Sequence, residues 1–142
     1  MNEMKRSFVV DNSVVMSWCF GDEKEKYADE VLGLLEECEA FVPGVWPLEA
    51  ANVLLVAQRK KRLNKADAVR FLNLVRALPI RVVPETTERV FGDIIALAHE
   101  TGLSSYDAAY LDLAMREGLP IATLDVNMRR GASLVGIELL EP

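Results

Sequence analysis

Residues 8–13, Phe8-Val9-Val10-Asp11-Asn12-Ser13, decide the fold. Three apolar residues stopped by an acid are too few for a helix. They fit a short strand buried on both faces, which needs helices above and below it. Near the other end of the chain, Pro120-Ile121-Ala122-Thr123-Leu124-Asp125 has the same form. Ala40-Phe41-Val42, closed by Pro43-Gly44, and Ile80–Val83 read as two further strands, and Val135–Leu140 as a fifth.

The segments between these strands are helical. Ser13–Phe20 reads as a short helix, followed at Gly21 by a charged loop, Asp22-Glu23-Lys24. Tyr27, Val31, Leu34, Leu35 and Cys38 recur at helical spacing and predict an amphipathic helix over Glu25–Glu39. Pro47 suits the first position of a helix running to about Lys61. Asn64 caps the next helix, with Ala68, Phe71, Leu72, Val75 and Leu78 on one face, and Pro79 ends it. Thr87 opens a helix that Gly102 stops; Ser105 caps Tyr106–Glu117, with Gly118 just beyond. A short turn of helix is expected near Arg129. Strands alternating with helices define an α/β chain, here a three-layer α/β/α sandwich around a central, mainly parallel five-stranded sheet. In such sheets ligands sit past the carboxyl ends of the strands, where the strand order reverses.

The 142 residues include 16 Lys+Arg, 22 Asp+Glu and one His, a formal net charge of −6, and 51% of them are hydrophobic. At roughly 150 residues per domain there is room for one core, so residues 1–142 are read as a single domain. The hydrophobic share excludes disorder and fibrous repeats. No apolar run exceeds five residues (Val53–Ala57, Ile94–Ala98), far short of the roughly 18 a membrane span needs. The apolar stretch after Lys5-Arg6 is broken by Asp11, too soon for a signal-peptide core. Cys19 and Cys38 read as reduced, buried small hydrophobes. A soluble cytoplasmic domain without membrane association is expected. The acidic balance argues against a broad nucleic-acid surface, since neutralising phosphates takes clustered Lys and Arg. Bound metal would change that, because two divalent ions alone move −6 to −2.

Four acids stand out by position. Each alone has an ordinary explanation: Asp11 and Asp125 stand where helix caps and turn formers stand, and Glu49 and Asp107 stand where first-turn acids favour the helix dipole. At 100° per residue, however, Glu49 shares its face with Asn52, Val53 and Val56, and Asp107 with Tyr110, Leu111 and Ala114. Asp112 turns roughly 140° away from Asp107 and has Arg116 four residues on, which reads as a surface pair. A carboxylate on a buried stripe needs a cation, strong donors or a raised pKa. No Lys or Arg lies in helical register with Glu49 or Asp107. Acids at two strand ends and two helix starts are therefore expected to converge on one pocket, and oxygen ligands without His or Cys select Mg²⁺ or Mn²⁺ over zinc. The lone His99 falls in the last turn of a helix, where it complements the dipole. His-based nucleases, a Ser-His-Asp triad and phosphate-loop chemistry are excluded. Arg129 and Arg130, just past Asp125, are the candidate phosphate contacts. Arg59-Lys60-Lys61-Arg62 reads as cations closing a helix, and Trp18 and Trp46 as packing under the site.

Taken together, four segments resemble the PIN domain family, and within it the VapC toxins of bacterial toxin–antitoxin pairs. They are Val10-Asp11-Asn12-Ser13 with Ser17-Trp18, Trp46-Pro47-Leu48-Glu49-Ala50-Ala51-Asn52, Ser104-Ser105-Tyr106-Asp107-Ala108-Ala109-Tyr110, and Thr123-Leu124-Asp125. The resemblance runs from Phe8 to Leu140. It implies a three-layer sandwich with a parallel sheet and a magnesium-dependent ribonuclease acting on single-stranded or loop RNA. The family's acidic ligands fall on Asp11, Glu49, Asp107 and Asp125, and its supporting hydroxyls on Ser13 and Thr123. Asn127 stands where a polar residue assists the metal in some members, or serves as a cap. A homodimer is implied, with a cognate VapB antitoxin whose C-terminal segment enters the acidic groove.

Two rivals stay open. A magnesium-dependent phosphatase or phosphotransfer domain uses a similar sheet, but no lysine stands near Ala122-Thr123-Leu124-Asp125, and the first strand leads into Asp-Asn-Ser rather than an acid pair. A non-catalytic binding module would use the acidic groove to receive a basic partner peptide.

Overall fold

In the structure, a computed structural model describing residues 7–20 and 25–142, the centre of the sheet is the strand that opens the sequence argument. Phe8, Val9 and Val10 are at most 1% exposed and form β1 (Ser7–Val10). Parallel partners flank it: β2 (Glu39–Pro43) on one side and β4 (Ile121–Ala122) on the other, with Val9 level with Phe41 and Ile121. β3 (Ile80–Val83) lies outside β2. The order β3-β2-β1-β4 puts the reversal between β1 and β4. The charged loop expected at Gly21 lies outside the described residues.

Seven helices join these strands among the described residues. They are α1 (Asn12–Cys19), α2 (Lys26–Leu34), α3 (Trp46–Arg59), α4 (Lys65–Ala77), α5 (87–101, π-helical over Val90–Ile94), α6 (Ser105–Glu117) and α7 (Val126–Leu134). α1 packs on α2 and α3, and α3 on α4; α5 packs on α6, which crosses β1 and β2. Right-handed crossovers carry α1–α4 over one face while the chain steps outward from β1 to β3. The step back from β3 to β4 carries α5 and α6 over the other face. No described helix is long and apolar enough to cross a membrane.

Several expectations are corrected. The sheet has four strands, not five: the segment expected as the last strand reaches β4 at one bridge, Leu139 to Ile121. The cause lies upstream. Asp125 caps α7 by accepting the Met128 N–H at 3.0 Å, so a full helix replaces the short turn near Arg129. A turn at Gly136 (φ +78°) then interrupts the segment expected as a strand, and the edge strand it meets is two residues long. The cap of α6 is Ser104, not Ser105: its Oγ accepts the Asp107 N–H at 3.1 Å. Gly118, with φ +66°, closes that helix as expected, in a conformation that favours glycine. A further correction concerns Asp112, which is 2% exposed rather than a surface residue. α6 is buried from Ala108 through Ala114 because α5 covers the side turned from the sheet. The Asp112 carboxylate survives there between Arg89 Nε at 2.8 Å and Arg116 Nε at 3.3 Å. Cys19 and Cys38 are free thiols, half-buried rather than buried.

The two arginine–aspartate pairs allow a stability test. Arg89→Met strips one cation from a buried carboxylate and is expected to cost about 2 kcal/mol in denaturant unfolding. Arg70→Met, breaking the exposed pair with Asp67, is expected to cost less than about 0.5 kcal/mol. Equal costs would show that Asp112 does not depend on Arg89.

Candidate functional site

Asp11 is the first residue past β1, and its N–H bonds the carbonyl of Ala122 at 2.9 Å, locking the ends of β1 and β4 together. Its side chain is buried at 6% exposure. Two hydroxyls donate to the same carboxylate oxygen, Ser13 Oγ at 2.7 Å and Thr123 Oγ1 at 2.8 Å from Oδ2. Each hydroxyl also receives a backbone N–H, Leu124 onto Ser13 and Asp125 onto Thr123, both at 3.0 Å. Those incoming bonds occupy the hydroxyl acceptors and leave both protons for Asp11. The supporting hydroxyls expected at Ser13 and Thr123 are thus in contact with the first acid.

Glu49 enters from the first turn of α3, where the hydroxyl of Tyr110 donates to its Oε1 at 2.6 Å. Asp107 occupies the first turn of α6, and Asp125 the cap of α7. Trp46, buried at the head of α3, donates from Nε1 to Asn12 Oδ1 at 3.1 Å, tying the start of α3 to the start of α1 beside Asp11. The sequence reading named the four acids and missed the contacts that Tyr110 makes with Glu49 and Asn12 with Trp46. Tyr110 is visible as a face-mate of Asp107; its reach to a glutamate 61 positions away is not.

The four acids lie within electrostatic reach of one another. Burial pushes the Asp11 carboxyl above its usual range, the Ser13 and Thr123 hydroxyls and the Asn12 N–H pull it back, and Asp125 pushes it up further. Burial also raises Glu49, opposed by the Tyr110 hydroxyl and reinforced by Asp11 and Asp107. Asp107 rises through burial, then through Asp11 and Asp125, with Ser104 opposing. The Tyr110 hydroxyl is held firmly protonated, by burial first and by Glu49 next. Among the described residues, no ion pair neutralises any of the four acids. No three His, Cys, Asp or Glu side chains among those residues are grouped so as to hold a metal ion. What fits a hard divalent cation is the donor set, all carboxylate and hydroxyl oxygen, and the uncompensated negative charge.

The remaining candidates lie on α7 and farther off. Asn127 is exposed in the first turn of α7. Arg129 donates from Nε to the carbonyl of Thr123 at 2.9 Å and lies over the ring of Tyr27, 5.0 Å from its centre; Arg130 is exposed on the same helix. The basic run from Arg59 closes α3 at the end away from Glu49, about 15 Å along the axis. Trp18 donates to the Ala28 carbonyl and lines, with Phe20, Arg62 and Phe71, a cleft of about 600 Å³ that contains none of the four acids.

Comparison with known proteins follows this geometry. A scan against protein families matches residues 8–134 to the PIN domain. Among solved structures, PAE2754 from Pyrobaculum aerophilum aligns over 94% of this chain and 97% of its own, at 23% identity and a TM-score of 0.69. VapBC2 from Rickettsia felis, bound to a DNA fragment from its promoter, aligns over the same shares at 11% identity and a TM-score of 0.66. A toxin–antitoxin complex from Klebsiella pneumoniae aligns over 83% of this chain and 86% of its own, at 15% identity and a TM-score of 0.58. At these identities the likeness is one of fold. No curated protein matches the chain in a significant alignment.

Raised carboxyl pKa values fix the sign of a pH dependence. Between the ordinary carboxylate range near pH ~4 and the raised values, the folded state holds protons that the unfolded chain has released. In that window these groups lower stability as pH rises. Metal-free Asp11→Asn/Asp107→Asn protein is therefore expected to melt above wild type at pH 7, with the gap closing as the pH falls toward ~4. Thermal unfolding followed by circular dichroism checks this; a gap that does not change with pH would refute the charge crowding.

Proposed function

The chain belongs to the PIN domain family, and on that premise we propose that it is a metal-dependent ribonuclease, the toxin of a VapBC-type toxin–antitoxin pair. PIN domains are generally nucleases, and they usually use divalent metal ions. The observation that carries the reading is that Asp11, at the β1–β4 reversal, lies within electrostatic reach of Glu49, Asp107 and Asp125 with no described cation to pair them.

Asp11, Glu49, Asp107 and Asp125 are assigned as the ligands of Mg²⁺, with Mn²⁺ as the alternative. Such an ion, when bound, neutralises the gathered charge, acidifies a water and stabilises the leaving oxygen of a phosphodiester. The chain's own groups do the positioning. Ser13 and Thr123 fix one oxygen of Asp11, and Tyr110 fixes one of Glu49. Because its proton is so firmly held, the Tyr110 hydroxyl stays a donor throughout the working pH range. Asn127, next to the cap of α7, supports the ligand set. Arg129 and Arg130 are assigned as phosphate contacts at the pocket edge, Arg129 anchored by its bond to Thr123. The partners that follow are an RNA substrate, a cognate VapB-like antitoxin seated in the acidic groove and a second copy of the chain, in the cytoplasm. The Rickettsia felis and Klebsiella pneumoniae structures support the antitoxin partner through fold and assembly.

Total cellular RNA incubated with the protein and Mg²⁺ or Mn²⁺ is expected to be cleaved, and chelation to stop the reaction. Asp11→Asn and Asp107→Asn are each expected to reduce cleavage to the no-metal background while retaining the wild-type circular dichroism spectrum. Mapping the fragment ends then identifies the target. Wild-type activity in both variants refutes the proposal, and metal uptake without cleavage of any RNA favours the binding-module reading.

A further inference from the structure

α3 carries Glu49, yet it has no side-chain cap of its own, since Val45 fills the capping position. Its entry turn is held from another segment. The N–H of Gly44 points at the carboxylate of Glu85, 3.2 Å from Oε1 and 3.4 Å from Oε2. Glu85 stands just past β3 with its side chain 9% exposed, and Arg116 Nη2 on α6 faces it at 3.7 Å. That nitrogen is buried and makes no hydrogen bond, so the charge of Glu85 is what it answers. Arg116 in turn shares Asp112 with Arg89, which gives a linked, part-buried set of two acids and two guanidiniums. A Cβ at position 44 would stand 3.2 Å from Glu85 Oε1 and 3.4 Å from Pro84 Cα, so a side chain there would press on the Glu85 carboxylate by a few tenths of an ångström.

The acidic pocket is reached from this turn within one helical turn. The Glu49 N–H bonds the Val45 carbonyl at 3.1 Å, so the first turn of α3 transmits the place of the entry turn to the acid. We propose that Glu85 is a positioning residue for Glu49: with Arg116 behind it, it holds the Gly44 N–H and so fixes where α3 leaves β2 and where its first-turn acid enters the pocket. Tyr110 then sets the carboxylate's final orientation. A group that aims a ligand in this way changes metal affinity without touching the metal. The inference rests on the reading of Glu49 as a metal ligand.

Mn²⁺ titrated calorimetrically into the whole chain tests it. Glu85→Ala is expected to weaken Mn²⁺ binding about tenfold and to lower kcat for RNA cleavage while leaving KM within about twofold. Glu85→Gln keeps an acceptor for Gly44 and is expected to recover most of both. In a Glu49→Gln background, Glu85→Ala should cost nothing further, because the two effects run through one carboxylate. Should Glu85→Ala prove too unstable to titrate, Gly44→Ala disturbs the same contact from the other side and should give the same loss. Unchanged Mn²⁺ affinity in Glu85→Ala, or an equal loss in the Glu49→Gln background, overturns the positioning role alone. A wild-type chain that takes up no Mn²⁺ overturns the metal reading and this inference with it.

Discussion

Like charge gathered without counter-charge is the constraint from which the rest of this site follows. Burial pushes the carboxyls of Asp11, Glu49 and Asp107 above their usual range and neighbouring acids push them further, and the fold tolerates that repulsion because neutral donors share it. Ser13 and Thr123 answer Asp11, Tyr110 answers Glu49, and backbone N–H groups lock the hydroxyls in place. Hydrogen bonds from neutral groups stabilise an anion without cancelling its charge. The pocket therefore keeps its negative potential, which an arginine would have removed.

Asp112 shows the other solution on the same helix. It is more deeply buried than Asp107, but two guanidiniums surround it, and its role is to join α5 to α6. The two aspartates differ in what surrounds them more than in burial. The first is matched by fixed cations; the second has only neutral donors and other acids around it.

Much of this was legible in the sequence because it sits at element boundaries. Short apolar runs ending in acids mark both β1 and β4, and the helix starts read at Pro47 and Tyr106, each one residue past the observed start, still put Glu49 and Asp107 in a first turn. Three of the misreadings share one cause, dependence on partners distant in the chain. Val135–Leu140 has strand-like composition, but a strand needs an edge to pair with, and β4 offers two residues. Helical periodicity turned Asp112 away from the sheet correctly; that α5 would bury the opposite side as well is a fact of packing. The bond between Tyr110 and Glu49 spans 61 positions and belongs to the same class.

The abbreviated end of the sheet also bears on how the chain behaves in a crowded cell. A long open strand margin invites any stray polypeptide to add itself by backbone pairing, the first step toward fibrous precipitation. Here the margin at β4 is two residues long, and the Ile121 N–H and carbonyl are already engaged by Glu138 and Leu140. The segment past Gly136, though no strand, thus covers backbone of β4 to which an intruder would pair.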